Sequence, residues 1–266
     1  MLYREDVGGT IGFTQPAHAW VSGQLARAWG NGTFGTVAPR DDLCLAAEQH
    51  DVGMAAWEAA PTLNPRSGRA YSFRELPEPL HSQIFVAGAR ILATQNRYAA
   101  LLTSRHFTRL ARRHDFANDP PATVQAVTAY LASEPVWQGR LLAELRDDPR
   151  YAAHVAAEVL DRNSRLLATW DWLSLLLLMG VHGPATVPDV PTATDAATLS
   201  LTPDAADPTL VTITPWPFAT AIVTLRCEGR RLGAGYADDV TLRAAVASAR
   251  WATLQLTLRS AASEVA

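Results

Sequence analysis

Leu43-Cys44-Leu45-Ala46-Ala47-Glu48-Gln49-His50-Asp51-Val52-Gly53-Met54 is an apolar helical run that delivers an adjacent His-Asp pair, with a glycine two residues later. At three-and-four spacing, Leu43, Ala46, Ala47, His50, Met54 and Trp57 fall on one face of a helix. That face is otherwise apolar, so His50 is expected to point inward with Asp51 at its edge. Burying such a pair is costly unless something satisfies it. A metal ion does so, because it takes imidazole nitrogen and carboxylate oxygen together. A core histidine hydrogen-bonded to its surroundings does so as well, and the pair alone leaves both readings open.

The flanking sequence supplies more helices with polar residues on apolar faces. Thr14-Gln15-Pro16 reads as a capped helix start, and the helix runs to Trp29, where Gly30-Asn31-Gly32 stops it. Its inward face is His18, Val21, Ser22, Leu25 and Trp29. A helix over 79–95 places His81, Ile84, Phe85, Gly88, Ile91 and Leu92 together. One over 97–114 repeats Leu101, Leu102, Arg105 or His106, and Leu110. Residues 122–146 give one amphipathic helix or two short ones. A long helix over 149–178 turns Leu160, Leu167, Asp171, Ser174, Leu175 and Leu178 inward. Residues 1–13 read as extended, forming one edge strand. After His182-Gly183-Pro184 the composition changes. Residues 184–195 are expected to be a linker and 196–266 a small antiparallel β subdomain packed on the helices of residues 1–183. The expected fold class is therefore mainly α, a helical bundle with a small C-terminal β appendage.

Composition narrows the function. With 266 residues, 48% apolar and 18% charged, the chain can bury a sizeable core. A net charge of −3 without a basic run argues against a nucleic-acid partner. All 23 basic residues are arginine, which excludes chemistry that needs a lysine, such as a Walker-type phosphate loop or a Schiff base. Cys44 and Cys227 lie far apart and form no framework, which suits a reducing compartment. The N-terminus has no apolar signal core, and the run Leu173–Val181 is far shorter than the ~20 residues of a membrane span. A cytoplasmic protein with no membrane partner is expected, and a homodimer is compatible with the composition.

Ligand-type residues occupy inward positions on five expected helices: His18, His50 with Asp51, His81, His106 and Asp171. Each of His18, His81 and His106, taken alone, reads first as a satisfied core residue, but six such groups in one helical core are hard to satisfy without an ion. Four imidazoles and two carboxylates exceed the needs of one ion with an open position. They suit two ions ~3.5–4 Å apart, divalent or mixed-valent. Iron or manganese is favoured by these ligand types, with zinc, magnesium or nickel as alternatives.

This order, His, then His-Asp, then His, His and a late Asp, resembles the HD-domain superfamily over residues 14–180. The resemblance implies an all-helical HD-like bundle in which the His-Asp pair binds metal and its carboxylate bridges two ions. Thr14-Gln15-Pro16-Ala17-His18, His50 to Glu58 and Pro215-Trp216-Pro217-Phe218 are also similar to a bacterial family known only as a domain of unknown function, DUF3891, which implies no activity. Many HD enzymes carry lysine three residues after the Asp, whereas this chain has Met54. Asp161 is an alternative to Asp171, and His114 to His106.

Three functions follow as expectations. One is a hydrolase of phosphohydrolase type, using metal-bound hydroxide on a small substrate, which stands first. Another is a di-iron oxygenase acting on a small organic molecule. The third is a non-catalytic domain with a structural metal or none. Glu58 and Gln15 are candidate acid/base or hydrogen-bonding residues. Trp57, Arg69, Tyr71 and Arg105 are candidate contacts to a substrate, anionic in the case of the arginines. The loop 59–79, long for a compact domain, is expected to form one wall of the pocket.

Overall fold

The computed structural model describes residues 1–261. Strands β1 (Leu2–Asp6) and β2 (Gly9–Phe13) form a hairpin that leads into α1 (Gln15–Ala28). Thr14 caps α1, its side chain accepting from the Ala17 N–H at 3.2 Å. Helix α2 (Arg40–Gln49) stops at His50, and a single 3₁₀ turn, Val52–Met54, precedes the short α3 (Ala55–Ala59). The continuous helix expected through the His-Asp pair is thus broken just after His50. A two-residue hairpin, β3 (Leu63–Asn64) with β4 (Arg69–Ala70), organises the loop that follows.

Four longer helices complete the α layer: α4 (Glu78–Ala93), α5 (Arg97–Ala111), α6 (Pro121–Arg146) and α7 (Ala157–Met179). Asn96 caps α5 by accepting from Ala99 N–H at 2.8 Å. Residues 121–146 form one helix, with Pro135 inside it. Helix α5 is the hub, packed against α2, α4, α6 and α7. Its buried stretch runs from Tyr98 to Ser104 and resumes at His106 to Thr108, so most of its faces meet protein.

The sheet corrects the expected fold class. Strand occupies 22% of the chain against 49% helix, and a seven-stranded mixed sheet is a major element rather than a small appendage to a mainly α bundle. Its remaining strands are β5 (Ala185–Pro191), β6 (Ala196–Pro203), β7 (Leu210–Thr214), β8 (Ile222–Leu232) and β9 (Trp251–Ser260), with helix α8 (Asp239–Ser248) between the last two. The order is β1-β2-β8-β9-β7-β6-β5, antiparallel throughout except β7 with β9. The N-terminal hairpin joins through Thr10↔Leu232, a pairing 222 residues apart that no local pattern displays. Residues 185–191, inside the expected linker, are the edge strand β5. Proline is tolerated there because an edge strand need not donate every ladder hydrogen bond. A bulge between Val187 and Val190, with Asp189 at φ 61°, lets Val187 and Val190 both bury.

Along β8 the burial alternates strictly, Val223, Leu225 and Cys227 in and Thr224, Arg226 and Glu228 out. One sheet face therefore carries helices and the other is polar. Helices α1 and α7 contact both the sheet and the inner helices: α1 lies on β8 and α2, while α7 lies on β1, β5, α2 and α5. The site residues sit on this middle layer and on the helices above it. Among the described residues, no helix is long and apolar enough to cross a membrane.

Candidate metal centre

Five of the six expected ligands converge. His18 comes from α1, His50 from the end of α2, Asp51 from the turn after it, His106 from α5 and Asp171 from α7. All five side chains are at most 14% exposed. His18 Nε2 lies 2.7 Å from Asp51 Oδ2 and 3.7 Å from Asp171 Oδ1. His50 Nε2 lies 3.5 Å from Asp51 Oδ2 and 3.4 Å from Asp171 Oδ1. His106 Nε2 lies 3.3 Å from Asp171 Oδ2. The break after His50 matters here: Asp51, at φ −99° and ψ 18°, leaves helical geometry and turns its carboxylate to the same side as the imidazole.

Hydrogen bonds on the far side of each ring orient the donors. His50 Nδ1 donates to the Ala47 carbonyl at 2.8 Å, which turns Nε2 toward the carboxylates of Asp51 and Asp171. His18 Nδ1 lies 2.7 Å from Ser174 Oγ. Ser174 gives its only proton to the Asp171 carbonyl at 2.8 Å and accepts from Ser22 at 2.9 Å, so Nδ1 of His18 is the donor to it. Nε2 of His18 then faces Asp51 Oδ2 at 2.7 Å, a contact that either a hydrogen bond or a shared metal ion closes. His50 Nε2 and both ring nitrogens of His106 are buried without an aligned hydrogen-bond partner. Unsatisfied donor atoms of the right type, crowded at one point, fit a metal ion. His18, His50 and Asp51 form a buried group that could hold one, their donor atoms all within 4.8 Å of one another.

Electrostatics in the metal-free cluster agree. Burial works against a charged His50, yet the carboxylates of Asp51 and Asp171 override it and hold its pKa up at about 9. Burial likewise opposes ionisation of Asp51 and Asp171. The surrounding imidazoles reverse that penalty and keep both below the usual carboxylate range, Asp171 well below it. Two ionised carboxylates among three imidazoles are pre-set for a cation.

Ser174 carries no role in the sequence reading, although its place three residues after Asp171 on the inward face points to it. Replacing it with alanine should leave the fold intact and free the His18 ring to rotate. We expect metal affinity to fall ~10–100-fold, the usual cost of losing such an orienting partner. Titration of the apo variant with Mn²⁺ or Zn²⁺ checks this, and wild-type affinity would sink the orienting role.

A cavity of about 370 Å³ opens onto the cluster. Its floor is the five clustered residues with Gln15. Its wall is apolar: Met54, Phe73, Phe85, Phe107, Leu110, Trp172 and Leu175. Arg74, Glu78, His81 and His114 complete the lining.

The other expected residues distribute unevenly. Gln15 lines the cavity, 4% exposed, with its amide oxygen unpartnered. His81 lines it too but turns Nδ1 to Glu78 Oε1 at 3.5 Å and stacks on Phe85, so it stands apart from the cluster. Glu58 is buried behind the site, accepting from Gln15 N–H at 2.6 Å and pairing with the Met1 ammonium at 2.9 Å. It braces the start of α1 and is no cavity residue. Trp57 and Tyr71 pack against Met54, Leu76 and Ile84. Arg69 is spent on Glu5 at 3.1 Å and on the Tyr3 ring. Arg105 is half-buried and does not line the cavity. The loop does supply one wall, but through Phe73 and Arg74 instead of Arg69 or Tyr71. Asp161 is 67% exposed beside Arg165 and is no ligand. His114 lines the cavity beside Glu78 and Asp119, whereas His106 stands in the cluster beside Asp171.

Comparison with protein-family models matches residues 1–234 to DUF3891, described as a protein of unknown function. No curated protein and no solved structure matches the chain. The match spans most of the chain, the whole His–Asp cluster and the N-terminal hairpin included, and the chain belongs to the DUF3891 family.

Proposed function

We propose that this protein is a metal-dependent hydrolase of a small substrate, related in its ligand order to the HD-domain superfamily. The observation that carries the reading is the buried group of His18, His50 and Asp51, whose donor atoms all lie within 4.8 Å of one another on the floor of an open cavity. His18, His50, Asp51 and Asp171 would hold the ion, with His106 beside Asp171. Manganese or iron suits this imidazole–carboxylate set best, with zinc, magnesium and nickel as alternatives. With His81 turned to Glu78, one ion is fully provided for, and a second would rest on His106 and Asp171. When bound, such an ion lowers the pKa of a water and polarises the bond to be hydrolysed.

The chain's own groups do the rest. Ser174 and the Ala47 carbonyl fix the two imidazoles. The Gln15 amide, unpartnered at the floor, can take a hydrogen bond from substrate. Phe73, Phe85, Phe107 and Trp172 seat an apolar portion and keep bulk water out. Arg74, at the cavity, meets an anionic end; arginine grips phosphate or carboxylate with two parallel hydrogen bonds.

A di-iron oxygenase is the second reading, favoured by the aromatic wall and by a lining with a single arginine. Elemental analysis of protein purified without air, followed by assay on aryl phosphates, separates the two. About one manganese, magnesium, zinc or nickel ion per chain with ester hydrolysis is the expected result. Iron near two per chain with substrate-dependent oxygen uptake would replace it with the oxygenase. Protein with no metal and no affinity for added Mn²⁺, Fe²⁺ or Zn²⁺ would refute both.

A further inference from the structure

Glu78, His81 and His114 of the same cavity, with Asp119 outside it, form a second group of ionisable side chains that the metal cluster does not use. Glu78 and His81 stand in the first turn of α4, and His114 and Asp119 lie beyond the end of α5. Glu78 Oε1 is 3.5 Å from His81 Nδ1 and 3.7 Å from His114 Nδ1. His114 Nε2 is hydrogen-bonded to Asp119. Acidic and basic groups thus alternate as Asp119, His114, Glu78, His81. His81 is the least exposed of the four, at 13%.

This group is not a second ion site. Among the described residues, only His18, His50 and Asp51 bring three donor atoms within 4.8 Å of one another. His114 has a carboxylate on each ring nitrogen. His81 commits Nδ1 to Glu78 and keeps Nε2. Hydrogen bonding to His81 also holds the Glu78 carboxyl below its usual range, against the effect of its partial burial. The His81 ring is fixed in its plane: it stacks on Phe85 at 5.2 Å and 12°, and Phe85 stacks on Phe107 at 4.0 Å and 10°. Phe107 in turn lies against His50 and His106. An imidazole oriented by a carboxylate, held rigid in a cavity beside a metal centre, is the arrangement of a general acid.

We propose that His81 is the proton donor of this pocket, positioned by Glu78, with His114 and Asp119 holding Glu78 in place. The proposal rests on the hydrolytic reading above. In hydrolysis of an ester R–O–X, the bond from X to the leaving oxygen breaks as a bond from X to a water oxygen forms. The leaving oxygen takes the proton from His81 Nε2 and departs as ROH. The surplus proton of the water passes to solvent, and His81 Nε2 regains one directly from solvent once ROH has left the open cavity, while Glu78 keeps the Nδ1–H in place. One water is consumed and the imidazole is restored.

The test uses metal-loaded full-length protein with two probes, p-nitrophenyl phosphate, whose leaving group needs no proton, and phenyl phosphate, whose leaving group does. His81→Gln is expected to keep wild-type metal content and melting temperature. It should lose ~100-fold in turnover of phenyl phosphate while changing little on p-nitrophenyl phosphate. Glu78→Gln removes the carboxylate that orients the ring, so it too should lose more on phenyl phosphate than on p-nitrophenyl phosphate, with Glu78→Asp recovering part of the loss. Loss of metal in His81→Gln would make His81 a ligand and overturn the proposal. So would equal losses on both esters, or a Glu78→Gln enzyme as active as wild type on phenyl phosphate. Metal-loaded wild type that hydrolyses neither ester refutes the hydrolytic reading itself, and the proton donor with it.

Discussion

Asp51→Ala is expected to lose both bound metal and turnover, the latter by ~1,000-fold or more, since an ion at a reacting centre supplies several kcal/mol. Asp51 Oδ2 is the atom nearest His18 Nε2 and also within 3.5 Å of His50 Nε2, so its removal takes away the group that both imidazoles share. The stability signature is separate and equally direct. An ion that binds only the folded chain at a hundredfold excess over its dissociation constant stabilises it by ~2.7 kcal/mol. For a chain of this size that corresponds to a melting-temperature rise of ~5–10 °C. Wild type should therefore melt lower after chelation and recover on addition of Mn²⁺ or Zn²⁺, whereas Asp51→Ala should respond to neither. Asp161→Ala is the control, because Asp161 is exposed and touches only Arg165. Calorimetry with and without chelator, alongside elemental analysis, checks this. An Asp51→Ala protein that keeps its metal would remove Asp51 from the ligand set.

Much of this centre is legible in residue spacing, and the reasons are physical. His18, His50, His106 and Asp171 each lie on a strongly apolar helical face, and an inward face fixes direction well enough for four elements to point at one core. His81 shows the limit of that rule. It shares a face with Ile84 and Gly88, yet it lies in the first turn of α4, where the helix end reaches the cavity mouth. Periodicity gives a direction around a helix and nothing about depth along it. The same limit separates Arg74 from Arg69. Both sit in one loop, but a two-residue hairpin and the Glu5 carboxylate turn Arg69 away, and neither contact has a local signal.

The sheet is hidden for a different reason. The pattern of β8 and β9 is visible as alternation, and the 1–13 segment as extended chain. Their union depends on pairing across more than 200 residues, which is a property of the folded core and absent from any window of sequence. Proline-rich composition also masks β5, because edge position and a bulge remove the penalty that proline would carry in a central strand. Local pattern therefore underweights the sheet and misplaces the fold class, while the site, built on helices packed over that sheet, stays largely legible.

Gly53, two residues after Asp51, sets how closely the turn approaches α4. At this position backbone space is the constraint. A Cβ added to Gly53 would stand 2.5 Å from the Ile84 carbonyl oxygen and 2.9 Å from both the Cα and the N of Gly88. These are backbone atoms in the middle of α4, so no side chain can swing aside to make room. Gly88 faces it with the same economy, its own added Cβ meeting Gly53 N at 3.1 Å and Cα at 3.2 Å. Two glycines thus let the turn carrying Asp51 press directly onto α4, the helix that bears His81 and Phe85. Gly53→Ala must push α4 away from that turn, and we expect a loss of ~3 kcal/mol or more, at the upper end of overpacking costs. The melting temperature should fall by ~6–12 °C. Gly88→Ala, with contacts a few tenths of an ångström looser, should cost distinctly less. Because the displaced helix forms a cavity wall while the ligands come from α1, α2, α5 and α7 and the turn itself, metal affinity should fall less steeply than turnover. Thermal unfolding of both variants, with metal titration of the surviving folded protein, measures each part. A Gly53→Ala protein as stable as wild type would show that α4 can yield at no cost, and the close approach would then have no role in placing Asp51.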